Sequence, residues 1–224
     1  MAAKVIEIEM GEAQRMRRVV SRSNHRVTGK YPSWKKRCMA YWESAIERDA
    51  FRRLDADASV LCFQEQPARI VYVVDGIRHI HYPDILVERE SGKEFIEVKS
   101  DHDAASDEVT ARTDALKTAL TARGFGYRVW PEYEIRVRPR LDNEIYLLRY
   151  GQHPVPVIVI ERLRRLFQVE PIITWSALVD SVLAPGGLAM ACRLVLDGWL
   201  LIDRDLPLTR NTAVRFAFDK GEAK

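Results

Sequence analysis

The chain has 224 residues, 47% of them hydrophobic and 30% charged, with a formal net charge of +3. That is an ordinary soluble globular composition, long enough to bury a real core as one domain or two small ones. Its three cysteines, Cys38, Cys62 and Cys192, are odd in number, far apart and in no metal-type spacing, which suggests neither a disulfide framework nor a zinc site and fits a reduced, cytosolic setting.

The opening MAAKVIEIEMGEA has no apolar core of signal-peptide length. No stretch approaches the roughly 18 apolar residues of a membrane span, so neither export nor insertion is predicted. From Ala13 to Trp42 the chain then carries Arg15, Arg17, Arg18, Arg22, Arg26, Lys30, Lys35, Lys36 and Arg37 without one Asp or Glu. Such a block reads either as an arm attracted to a polyanion or as a solvated tail. Residues 1–40 are assigned to this arm.

WESAIERDAFRRLDADASV follows, with Trp42, Ile46, Ala50, Phe51 and Leu54 at three-and-four spacing, and predicts a helix ending near Asp55. LCFQEQPARIVYVVDG predicts one or two strands, and Asp75-Gly76 is a tight-hairpin dipeptide leading into IRHIHYPDILVE. Ser91-Gly92 predicts the next hairpin turn, before KEFIEVKS. Ser106 caps a second helix that carries Asp107 and Glu108 in its first turn and stops at Gly124; FGYRVWPE supplies a further strand. Helix, three strands, helix, strand describes an α/β core with a mixed sheet, assigned to residues 41–152. The proline-bearing stretch RPRLDNEIYLLRYGQHPVP places the boundary near Gln152. In residues 153–224, VIVIERLRRLF, SALVDSVLA and GLAMACRLVLDG predict three short helices and WLLIDRDLPLTRNTAVRFAF a β-hairpin, the outline of a winged helix.

The chemistry concentrates in HYPDILVERESGKEFIEVKS. A two-residue turn at Ser91-Gly92 would pair 86 with 97 and 84 with 99, setting Asp84 opposite Lys99 with Glu97 diagonal on the same face. Two carboxylates suit a hard cation such as Mg²⁺, which takes one or two protein carboxylates plus phosphate and water, and the Val98 carbonyl offers another oxygen. Lys99 beside them can orient a nucleophilic water or accept its proton, which makes phosphodiester hydrolysis the natural reaction. The competing reading is a surface cross-strand salt bridge of about 0.2–1 kcal/mol.

Pro83-Asp84, twelve residues, then Glu97-Val98-Lys99 matches the PD-(D/E)xK nuclease signature, on the element order above. The stretch SRSNHRVTGKYPSWKKRCMAYWESAIERDAFRRLDADASVLCFQEQP, with HYPDILVE and FIEVK, resembles TnsA-type transposon-end endonucleases over roughly residues 15 to 138. LVLDGWLLIDRDLPLTRNT is similar, less distinctively, to that family's winged-helix domain. The resemblance implies a restriction-endonuclease-like core followed by a small winged-helix domain, in a bacterial cytoplasmic protein. It also implies a Mg²⁺ site, with Mn²⁺ able to substitute, held by Asp84, Glu97, the Val98 carbonyl and a helix carboxylate. That carboxylate corresponds to Glu47, or to Glu43 four residues away on the same helical face. Glu47, Asp84, Glu97 and Lys99 would be catalytic. Some relatives carry Gln where Glu97 stands; Glu is the commoner form of the wider motif, so the catalytic positions are intact. The implied partners are double-stranded DNA at transposon ends, a DDE-type (TnsB-like) transposase subunit that cuts the other strand, and an AAA+ (TnsC-like) ATPase contacting the C-terminal domain. A stand-alone resolvase or restriction nuclease and a non-catalytic DNA-binding adaptor are the alternatives.

Other polar residues carry weaker expectations. His79 and His81 alternate on one strand face, a spacing able to hold a metal, but in the parity opposite to Asp84, which favours structural or DNA-facing roles. Glu65 and Gln66, just before Pro67, are candidates for contact with the site, with a strand end packed on the hairpin as the favoured reading, and His102 and Asp103 are expected in a polar loop. Arg162, Arg164, Arg165, Arg193 and Arg210 are candidates for DNA contact or plain solvation.

Overall fold

The computed structural model describes residues 4–11 and 27–221, so Arg15, Arg17, Arg18, Arg22 and Arg26 lie outside the described residues. Two compact units divide the chain, one of Met1–Leu54 and Ser59–Arg136, the other of Asp55–Ala58 and Val137–Lys224.

In chain order the first unit contains β1 (Lys4–Met10), β2 (Gly29–Ser33), β3 (Cys38–Trp42) and α1 (Ala45–Ala56), whose last residues count with the second unit. Then come β4 (Val60–Glu65), β5 (Ala68–Val74), β6 (Ile77–His81), β7 (Ile85–Arg89) and β8 (Gly92–Lys99). After them follow α2 (Asp101–Ala104), α3 (Asp107–Thr121), β9 (Phe125–Pro131) and α4 (Glu132–Ile135). The central sheet has the order β4-β7-β8-β9, antiparallel except for the parallel β8–β9 pair, whose ends are bridged by α2 and α3. The predicted mixed sheet is therefore present, and the predicted helix limits at Ser106 and Gly124 agree with α3.

Two features depart from the sequence reading. Five strands, not three, separate α1 from α3, because β5 and β6 leave the central sheet and pair with β1 in a sheet of their own, order β1-β5-β6. Their hairpin turn is the expected Asp75-Gly76, with φ of 52° and 79° matching the left-handed pair of a type I′ turn. The second departure is register. The β7–β8 turn is Glu90-Ser91, with Arg89 opposite Gly92 and Ile85 opposite Ile96, two residues off the predicted pairing. Asp84 is thus aligned with Glu97 rather than Lys99. A strand repeats every two residues, so a slip of two leaves every side chain on its predicted face.

Each face of the central sheet is closed by its own core. Ile85, Val87, Ile96 and Val98 pack against Phe51 and Leu54 of α1 and against Phe63, Trp130 and Ile135. Leu86, Phe95 and Tyr127 point the other way, onto Leu116 and Leu120 of α3 and Ala68, Ile70 and Tyr72 of β5. The end of the basic block is folded rather than free. Lys35 Nζ donates to the Val60 carbonyl, Lys36 pairs with the buried Glu65, and the Lys30 ammonium stands 5.4 Å over the Tyr41 ring.

The second unit comprises α5 (Arg140–Tyr150), α6 (Val157–Val169), β10 (Ile173–Thr174), α7 (Trp175–Ala177) continuing as a wide turn over Leu178–Val182, α8 (Gly187–Leu196), β11 (Leu200–Leu201) and β12 (Ala213–Phe216). The strands form a sheet in the order β10-β12-β11. Leu147, Leu163, Phe167, Leu178, Leu194 and Phe216 make its core. The division falls at Arg136–Val137, at the start of the proline-bearing stretch and not near Gln152. The reason is α5: Leu147 is buried in the C-terminal core, and Asn143 Nδ2 donates to the Arg204 and Leu206 carbonyls at 2.8 Å each.

Candidate active site

Asp84 sits where the chain passes from β6 to β7, directly after Pro83. Its carboxylate Oδ2 accepts the Val98 N–H at 2.8 Å and its carbonyl accepts the Gln66 N–H at 2.7 Å, so both ends of the residue are fixed to neighbouring strands. Burial pushes the Asp84 carboxyl well above the usual carboxylate range, and the negative charges of Glu97 and then Glu47 push it further; the Val98 N–H and Lys99 oppose them only in part.

Glu97 shares the face of β8 that looks toward α3. Its Oε1 lies 2.7 Å from Lys99 Nζ and 3.7 Å from an Arg112 nitrogen; its Oε2 lies 3.3 Å from His81 Nε2. Burial alone would raise this carboxyl, but His81 and Lys99 outweigh it and hold Glu97 below its ordinary range. The His81 N–H is not well directed at Oε2, which among the described residues has no hydrogen-bond donor.

Glu47 enters from the opposite face of the sheet, on the first turn of α1. Ser44 caps that helix, its Oγ accepting the Glu47 N–H at 3.1 Å, while Glu47 Oε2 reaches back to accept the Glu43 N–H at 2.9 Å. This reciprocal cap is a sufficient structural reason for a Glu here. It also holds the carboxylate at the helix start, where it acts on Asp84. Glu43 is turned instead to Gln66, whose Nε2 donates to Glu43 Oε1.

Glu43, Glu47, Asp84, Glu97, Val98 and Lys99 line one cleft of about 560 Å³ at the rim of the sheet. The predicted catalytic residues are thus brought together. Among the described residues no three His, Cys, Asp or Glu side chains form a ready-made metal cage. The donors nevertheless fit a magnesium-like ion, which needs only one or two protein carboxylates and takes its other oxygens from water and phosphate. A buried carboxyl raised first by its burial and then by the charges of two neighbouring carboxylates is the donor chemistry that a divalent cation would relieve.

The remaining candidates separate cleanly. His79 stacks on Tyr72 at 5.2 Å on an exposed strand, and His102 pairs with its neighbour Asp103 at 3.6 Å. Asp103 belongs to the cap of α2, where Ser100 Oγ accepts its N–H at 3.1 Å. Glu65 holds Lys36 and the Tyr41 N–H, whereas Gln66 joins Asp84 to Glu43. Arg193 is a correction: it is 2% exposed, donates to the Gly151 carbonyl and pairs with Asp197, which rules out contact with DNA. Arg210 pairs with Asp180 at 2.9 Å. His81 is the residue that sequence reasoning misplaced. The parity argument assumed one continuous strand, but the chain changes sheets across Tyr82-Pro83, and a pleat count does not carry through such a crossing.

Residues 57–132 match the family model described as the TnsA-like endonuclease N-terminal domain. This part of the chain is a TnsA-like endonuclease domain. The matched segment contains Asp84, Glu97 and Lys99 together with His81 and Arg112, and starts after Glu47. No curated protein matches the chain. A TnsA-like endonuclease belongs to transposition machinery that works on DNA.

Proposed function

We propose that the chain is a divalent-metal-dependent DNA endonuclease subunit of a heteromeric transposase, hydrolysing a phosphodiester at the 5′ ends of the mobile element. The observation that carries this reading is the meeting of Asp84, Glu97 and Lys99 in one open cleft of a TnsA-like domain, with the acidity of Asp84 suppressed by burial and then by the charges of Glu97 and Glu47. Asp84 and Glu97, with Glu47 and the Val98 carbonyl, would hold the cation. Once bound, Mg²⁺ or Mn²⁺ supplies charge stabilisation to the phosphate and a more acidic water.

The side chains of the chain divide the rest of the work. Lys99, kept at 2.7 Å by Glu97, orients the attacking water and counters charge gathering on the phosphate. The Val98 N–H holds the Asp84 carboxylate in one orientation. In the second unit α6, α7 and α8 with the short sheet are read as a winged helix, the contact for an AAA+ regulator, while a DDE-type subunit cuts the 3′ ends. Arg15 to Arg37 would grip duplex phosphates, apart from the lysines already bound within the fold.

The test compares wild type with Asp84→Ala in a reconstituted excision reaction with the transposase and ATPase, resolving the two strands at each end. The variant is expected to leave 3′ cleavage intact and lose 5′ cleavage. Persisting 5′ cleavage would establish the adaptor reading instead, and cleavage of naked DNA by the wild-type chain alone would establish a stand-alone nuclease.

A further inference from the structure

The Glu97 carboxylate has two oxygens with different surroundings. Oε1 faces the cleft and Lys99; Oε2 is turned inward, to His81 Nε2 at 3.3 Å. His81 is held in its turn: Tyr127 Oη stands 3.1 Å from the same nitrogen, and the two rings meet edge to face with centroids 5.8 Å apart. Arg112 of α3 closes the third side, 3.7 Å from Oε1. The side chains of His81 and Glu97 are 8% and 6% exposed, so this is a buried polar contact behind the wall of the cleft. Nothing in the D-E-K chemistry uses it.

Burying an imidazole, a phenol and a guanidinium around one carboxylate is costly unless the arrangement does something an apolar wall does not. What it does is fix direction. A glutamate has three rotatable bonds, and Lys99 in front pulls only on Oε1. An apolar residue at position 81 would leave Oε2 without its 3.3 Å polar neighbour, and the carboxylate would be freer to turn both oxygens onto Lys99 and away from Asp84. With His81 in place Oε2 keeps a polar neighbour 3.3 Å away at the back, a contact short of a directed hydrogen bond, while Lys99 holds Oε1 in front, and the two together limit how far the carboxylate can turn.

We propose that His81, oriented by Tyr127 and assisted by Arg112, is a positioning residue that sets the Glu97 carboxylate for cation binding. This rests on the proposed metal-dependent reading of the cleft. Residues that orient a metal-binding carboxylate without touching the metal characteristically change affinity by about 10- to 100-fold when removed. His81 stands in that relation to Glu97, and Tyr127 stands one step further back.

The experiment titrates Mn²⁺ into the purified full-length chain by calorimetry, alongside thermal denaturation without metal. Wild type, Asp84→Ala, His81→Ala, His81→Gln and Tyr127→Phe are compared. His81→Ala is expected to weaken Mn²⁺ binding about 10- to 100-fold. His81→Gln places an amide nitrogen near the position of Nε2 and is expected to recover most of the affinity, and Tyr127→Phe to lose a few-fold. A merely structural His81 would lower the melting temperature of both His81 variants and leave Mn²⁺ affinity unchanged. Affinity within about 2-fold of wild type in a folded His81→Ala, or in Tyr127→Phe if the alanine variant does not fold, overturns the proposal. If wild-type Mn²⁺ binding is indifferent to Asp84→Ala, the metal reading of the cleft fails and this proposal with it. If Asp84→Ala abolishes binding while His81→Ala does not weaken it, only the positioning role is lost.

Discussion

Glu47 and Glu43 are the two carboxylates of the α1 entrance, and their surroundings distinguish them. Glu47 acts on the charge of Asp84, whereas Glu43 is bound to Gln66. Glu47→Gln keeps an acceptor for the Glu43 N–H and hence the start of the helix, but removes the negative charge. Single-turnover cleavage at saturating Mg²⁺ is therefore expected to fall roughly 100-fold or more in Glu47→Gln, the scale of losing one electrostatic group at a reacting phosphate. Glu43→Gln should stay within about tenfold, and the reverse order would assign the site to Glu43. Asp84, Glu97 and Lys99 were legible in the sequence because their chemistry and spacing are both unusual in strands. His81 and Gln66 were legible only as minor alternatives, because each reaches the site through a change of direction, at Pro83 and before Pro67, that no periodicity records. Gln66 takes a φ of 44° there, a left-handed turn that aims its N–H at the Asp84 carbonyl.

At the scale of elements, helices with caps and hairpins with left-handed dipeptides were legible, and sheet membership was not. Ser106, Gly124 and Asp75-Gly76 each act on their own few residues, so local sequence suffices. Whether β5 follows β4 into the same sheet is decided by β1, some sixty residues upstream, whose Ile8 pairs with Ile70. The β7–β8 register likewise depends on which dipeptide turns, and Gly92, with φ of 131°, opens the strand and not the turn. Close approach between elements is similarly invisible until the fold is seen. A Cβ on Gly187, at the start of α8, would lie 2.0 Å from the Val179 carbonyl oxygen, a backbone atom with no flexible end to give way. Gly187→Ala is expected to destabilise the second unit by about 1–3 kcal/mol or more, the cost of overpacking. It would appear as a lowered thermal midpoint with no change in Mn²⁺ affinity at the cleft. A midpoint equal to wild type would mean that the turn over Leu178–Val182 yields freely.

At the scale of the whole chain, the described lysines Lys35 and Lys36 are used by the fold, and the proposed grip on a polyanion rests on the arginines before them. The two-unit organisation could be read from composition, but the boundary could not, since α5 looks no different in sequence whichever core takes Leu147. The basic block divides in the same way. Lys36 is paired with Glu65, their side chains 13% and 6% exposed, and Lys35 is bound to the Val60 carbonyl. Breaking a buried pair by removing one partner costs about 3–5 kcal/mol, so Lys36→Gln should lower the midpoint of thermal unfolding. Its slope of log K against log salt for duplex DNA should be unchanged. Neutralising Arg15, Arg17, Arg18, Arg22 and Arg26 together should do the opposite. Each phosphate that the arm then leaves un-neutralised reduces the magnitude of that slope by about 0.9, with the thermal midpoint held. Fluorescence anisotropy with a labelled duplex across a salt series, beside calorimetric melting, reads both quantities. A slope that survives replacement of all five arginines would exclude them as the phosphate grip and shift that role to exposed cations of the described fold, such as Lys30 and Arg37.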